Sequence, residues 1–135
     1  MRATNETYEM KPWLVGTSAL LLVLSAGAGA HHSNTPFDMS RTLRTSGVVA
    51  EANFKNPHSS LTLVIAGEHG EQTVTFEGHS LATLRHYGLL PSMVGQGNTI
   101  SISYAPRIDG APGGIFLSIE TESGELLDFS HLGYD

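Results

Sequence analysis

The feature that most constrains this chain is a change of period. Apolar and polar residues alternate in short runs along most of its length, and the alternation is broken once by a helical spacing. Alternation marks a strand with one buried face, whereas a repeat of three to four residues marks a helix lying on a core. The first run is Thr42 to Phe54, with Val48, Ala50, Ala52 and Phe54 on one face and Gly47 read as a bend or bulge. Asn56-Pro57-His58 is a turn, because proline cannot continue a central ladder and asparagine favours turn geometry. Ser59 to Ala66 is the second strand, with Leu61, Leu63 and Ile65 alternating against Thr62 and Val64. Gly67-Glu68-His69-Gly70 then closes a hairpin into a third strand, Gln72 to Glu77.

The period changes at Ser80, a good N-cap. Leu81, Leu84 and Tyr87 fall at helical spacing, and Gly88 sits where the left-handed residue after a helix belongs. So short a helix must be held by packing. Past Pro91 and Gly95-Gln96-Gly97-Asn98 a fourth strand runs from Thr99 to Ala105, alternating Ile100, Ile102 and Tyr104. Arg107 to Gly114 is a turn-rich loop, Ile115, Leu117 and Ile119 mark a fifth strand, and Ser123-Gly124 leads into a last extended piece, Glu125 to Phe129. Three strands, a short helix and two strands is the order of an OB-like barrel whose helix plugs one end. The expected fold is mainly β: a small five- to six-stranded OB-like barrel over 42–130, with one short helix between strands 3 and 4. A small β-sandwich with the helix outside is the alternative. Closure favours the barrel, since it removes the open edges of many short strands.

The residues ahead of this domain read as an address. Arg2 and Lys11 lead an apolar run from Trp13 to Leu24, about the length of a signal-peptide core and short of the roughly 20 residues that span a bilayer. Ser25 to Ala30 are small, and a cut after either Ala28 or Ala30 satisfies the Ala-x-Ala rule. Residues 1–30 are therefore expected to be a secretory signal peptide, leaving an exported protein, periplasmic or secreted, without a stable membrane span. An uncleaved anchor is the alternative, because the lead also carries Glu6 and Glu9. Residues 31–41 begin His31-His32-Ser33-Asn34-Thr35-Pro36-Phe37-Asp38 and read as a polar, proline-broken arm, and 131–135 as a tail.

Composition removes several classes of function. The chain has no cysteine, which excludes disulfides, thiolate metal sites and thiol chemistry. The leader's two basic and two acidic residues cancel, so the mature part keeps the formal net charge of −6. Arg41, Arg44, Lys55, Arg85 and Arg107 are scattered and form no stripe that neutralises phosphates, so a nucleic-acid partner is not expected.

Several short motifs recur in a telling order: Ala30-His31-His32-Ser33 with Phe37-Asp38, and a Gly-Val-Val strand leading to Asn56-Pro57-His58-Ser59. They continue with Leu84-Arg85 ahead of Gly88-Leu89, and Pro106-Arg107 with Asp109-Gly110 and Gly113-Gly114. In this order and spacing the chain resembles the exported proteobacterial family known as domain of unknown function 6152, over nearly the whole mature part. The resemblance implies export and fold, and brings no activity. Where that family often has an aromatic residue after His-His-Ser and after Asn-Pro-His-Ser, this chain has Asn34 and Ser60.

All seven histidines lie beyond residue 30. Cleavage after Ala30 starts the mature chain at His31-His32, where the terminal amine and the first imidazole chelate copper together. Cleavage after Ala28 starts it at Gly29-Ala30-His31, where the amine, two amide nitrogens and an imidazole surround Cu(II) or Ni(II) in a square plane. His58, in the first inter-strand turn, is the natural third ligand, with Asp38 as an acceptor that orients an imidazole. Copper is the first candidate, with nickel and zinc behind it. The competing reading is a solvated terminus, with His58 only capping its turn.

His69, His86 and His131 read as surface residues. His79, beside Glu77, suits a proton carrier without a recognisable nucleophile, and Ser59, Ser60 and Ser80 lack a Gly-x-Ser-x-Gly setting. Arg107 and Asp109 are candidate ligand-binding residues in a glycine-rich loop, or else partners of one another. The first reading is a non-enzymatic exported binding domain, metal-loaded through His31, His32 and His58. The second is an interaction module that binds a periplasmic protein, peptide or small ligand through its barrel face and the Arg107–Gly114 loop. The third is a histidine-brace copper redox enzyme, which needs an aromatic substrate surface that this chain scarcely has.

Overall fold

In the computed structural model, which describes residues 35–133, the two-residue turn Glu68-His69 sets the whole register. It joins Gly67 to Gly70, and the ladder runs outward from that pair to Ser59 opposite Gly78. The strands so joined are β2 (Ser59–Gly67) and β3 (Gly70–Gly78), preceded by β1 (Leu43–Asn53). After them come a helix α1 (Leu81–His86), a 3-10 turn at Pro91–Met93, β4 (Thr99–Pro106), β5 (Gly114–Glu120) and β6 (Leu126–Asp128). The sheet order is β3-β2-β1-β4-β5-β6, and β3 also pairs in parallel with β5. That pairing, Phe76 with Gly114 and Glu77 with Ile115, closes β1 to β5 into a barrel and leaves β6 as an extra strand. The OB-like barrel is the fold, and the sandwich is not.

Closure demands backbones with nothing on Cα. A Cβ on Gly78 would enter the Phe116 ring, and one on Gly114 would meet the Ala105 carbonyl. Gly47, read as a bend, likewise lets β1 approach Val64 and Ile65. The bulge lies further on, where the register slips between Val49 and Glu51. This corrects the face assigned to β1. Val49 is buried and Val48 is 43% exposed, whereas Ala52 and Phe54, beyond the bulge, do pack against the core. A second slip, between Ser103 and Tyr104, leaves Leu117 as the extra residue of β5 and puts both Phe116 and Ile119 in the barrel interior.

Helix α1 starts at Ser80, whose Oγ accepts from the Thr83 N–H at 3.1 Å. It ends before Gly88, whose φ of +96° is open to glycine at little cost. Leu84 and Leu89 anchor it in the main core, both fully buried. Tyr87, expected on the packed face, is exposed and stacks edge-on with His86 and His131 instead.

The segment read as a polar arm carries one apolar anchor. Phe37 is 2% exposed and packs on Ala105, Ile115 and Leu117, a second small core. The backbone around it bonds to the end of β4: Asp38 N–H donates to the Pro106 carbonyl at 2.8 Å and Ile108 N–H to that of Pro36 at 2.9 Å. Among the described residues no helix is long and apolar enough to cross a membrane.

Candidate functional site

The turn between β1 and β2 is held by its own side chains and by the start of α1. Ser59 is buried, and its hydroxyl lies 3.3 Å from both the Lys55 N–H and the Lys55 carbonyl, closing the loop on itself. The Asn56 Oδ1 accepts from the Ala82 N–H at 3.2 Å, and the Lys55 carbonyl accepts from the Leu81 N–H at 3.0 Å. Both are orphan donors of the first helical turn, so the loop and α1 cap one another. Asn56 and Ser59 thus hold the loop, while His58 stays exposed at its rim.

The hairpin register then brings a second imidazole to the same place. Ser59 and Gly78 are the last ladder pair, His58 lies just before β2 and His79 just after β3. The Ser59 N–H donates to the His79 carbonyl at 3.2 Å, so the strands are still in contact there. Both histidines line an open cleft of about 400 Å³ with Pro57, Ser80, Thr83 and Leu132. Burial, and then the repulsion of neighbouring His58, hold the half-buried His79 imidazole below the ordinary histidine range. Sequence reasoning missed this pairing. Its signal was the hairpin turn, which brings the start of β2 and the end of β3 to one place.

The other expected site residues fall elsewhere. His31 and His32 lie outside the described residues. Asp38 spends its Oδ1 on its own turn, accepting from the Ser40 N–H at 3.1 Å and the Ser40 hydroxyl at 2.6 Å; the hydroxyl bond holds its carboxyl below the usual range. Arg107 and Asp109 grip each other in a two-pronged pair, Nε to Oδ1 at 3.0 Å and Nη2 to Oδ2 at 2.6 Å. That pair, and then the Ala111 N–H, hold Asp109 down at about 2. Arg107 also lines a cavity of about 350 Å³ with Phe37, Thr75 and Glu77. His69, His86 and His131 are exposed. Among the described residues no three His, Cys, Asp or Glu side chains are grouped to hold a metal ion. The hydroxyls of Ser59 and Ser80 are engaged in holding the loop and the helix.

A closed barrel, a helix packed on its core through Leu84 and Leu89, and an open cleft lined by His58 and His79 define a small OB-like domain. The chain belongs to the family of unknown function DUF6152, whose model matches residues 19–116. No curated protein matches it.

Proposed function

We propose that the chain is an exported, non-enzymatic binding domain that takes up divalent copper through the processed amino terminus, His31 and His32, together with His58. Nickel and zinc compete less well, as their order of affinity for nitrogen ligands requires. The observation that carries this reading is His58 itself, exposed on a loop that Ser59, Asn56 and Lys55 tie to the barrel and to α1. A ligand on a rigid loop loses little freedom on binding. Chain length supports the partner ligands. Phe37 lines a cavity with Glu77, at the end of the barrel where β3 leads on to His79. Four residues lie between His32 and Phe37, a chain that spans at most about 18 Å when extended.

Copper titration of correctly processed protein, against a variant with one added N-terminal residue, tests the proposal. The added residue should weaken copper binding at least tenfold, because it displaces the amine from the first imidazole. Equal affinities would contradict the role of the terminus.

The cavity beside the Arg107–Gly114 loop favours a second reading, an interaction module for a small ligand or peptide. Its lining mixes Phe37, Thr73 and Thr75 with the charges of Glu77 and Arg107. A ligand there must compete with Asp109 for the guanidinium.

A further inference from the structure

We infer that the exposed edge of β3 is a docking strand for an extended segment of a partner protein that carries lysine or arginine at alternate positions. The edge borders the loop cavity through Thr73, but its case rests on the strand itself, so neither reading above has to hold. The barrel's closure is short. Among the described residues β3 meets β5 only through Phe76 and Glu77, so Gly70 to Thr75 has β2 alone as a strand partner. The register shows which backbone groups are left over. Gly67 and Gly70 flank a two-residue turn and bond to each other, and alternate pairs outward from them do the same. The groups of Gly70, Gln72 and Val74 therefore point at β2, and those of Glu71 and Thr73 point away from it. Among the described residues no turn or loop backbone bond reaches Glu71 or Thr73. Both are exposed, as is Gln72 between them. At Thr75 the edge is taken, since Gly113 lies so close to the Thr75 carbonyl that a Cβ there would collide with it.

An open edge is normally guarded by proline, lysine, a bulge or an inward charge. β3 has no proline and no lysine, and its ladder with β2 runs without a slip. Its guard is acidic. From Ala66 to Gly78 the chain carries Glu68, Glu71 and Glu77, with His69 but no lysine or arginine. Glu68 and Glu71 are exposed beside the edge. These charges decide the occupant. A second copy would bring two acidic edges together in a protein of net charge −6, so like charges oppose that pairing. A strand with lysine or arginine at alternate positions sets its cations on one face, the face of Glu71, where opposite charges across a ladder attract. Main-chain bonds to Glu71 and Thr73 then supply affinity, and the carboxylate rejects acidic strands.

The test titrates the processed protein with two end-blocked synthetic hexapeptides, one alternating lysine with threonine and the other glutamate with threonine, followed through the amide NMR signals. The lysine peptide should shift the Glu71 and Thr73 amides to saturation and slow hydrogen exchange at the Thr73 amide, while the Ser101 amide on β4 stays in place. The glutamate peptide should bind about fivefold more weakly or worse. Thr73→Pro removes an outward N–H that β2 does not use, and should weaken the lysine peptide about tenfold. Glu71→Lys should weaken it about fivefold, and is the deciding variant if the proline variant does not fold. Equal binding of the two peptides would overturn the inference, as would Thr73 exchange that the lysine peptide leaves unchanged. Protein that sediments by itself as a dimer, and as a monomer once Thr73→Pro is made, would give the edge to a second copy and overturn the basic occupant.

Discussion

At the scale of residues, the interactions readable from sequence were those between near neighbours. Arg107 and Asp109 sit two positions apart in a loop, and they do pair. The pairing makes a stability difference whose sign follows from Asp109. Its carboxyl titrates at about 2 in the folded chain, below its ordinary 3.8. The contribution is therefore present above about 4 and lost as the pH falls towards 2. Asp109→Asn should lower the denaturant midpoint slightly at pH 7 and by clearly less at pH 2, where about half of the folded-state carboxyls are protonated. A gap of the same size at both values would contradict the pairing. The effect is small because the pair is exposed to solvent and salt. His79 was harder to see. Its own neighbourhood reads only as the approach to a helix cap, and His58, which lines the same cleft, lies at the far end of the other hairpin strand.

At the scale of elements, the alternation placed every strand and the cap placed the helix, yet it misassigned one face. Val48 and Val49 are chemically alike, and their order along β1 does not say which points inward. The bulge between Val49 and Glu51 decides it, and a bulge depends on the partner strand. The same holds for Leu117, whose insertion sets Phe116 and Ile119 on one side of β5. The tightest joint is Gly78 against the fully buried Phe116 ring. Gly78→Ala should destabilise the barrel by about 1–3 kcal/mol, the usual range for overpacking. The loss should shrink in a Phe116→Leu background, where the ring is gone. An unchanged denaturant midpoint for Gly78→Ala alone would mean that β3 and β5 do not meet as closely as described.

At the scale of the whole molecule, the order of strands and helix carried the barrel, because few architectures close five short strands with a helix after the third. What the order could not carry was the anchoring of the arm. Thr35-Pro36 and Asp38 dominate that stretch, and the single Phe37 becomes significant only when β4 and β5 leave an apolar patch outside the barrel. Anchored there, Phe37 lines a cavity with Thr75 and Glu77 of β3. The most direct measurement combines two readings on one sample of protein recovered from the periplasm of copper-supplied cells. Mass spectrometry gives the mature amino terminus, and elemental analysis gives the metal. The account predicts a chain beginning at His31 or Gly29 with one copper per molecule. A correctly cut, folded chain that carries no metal would contradict it.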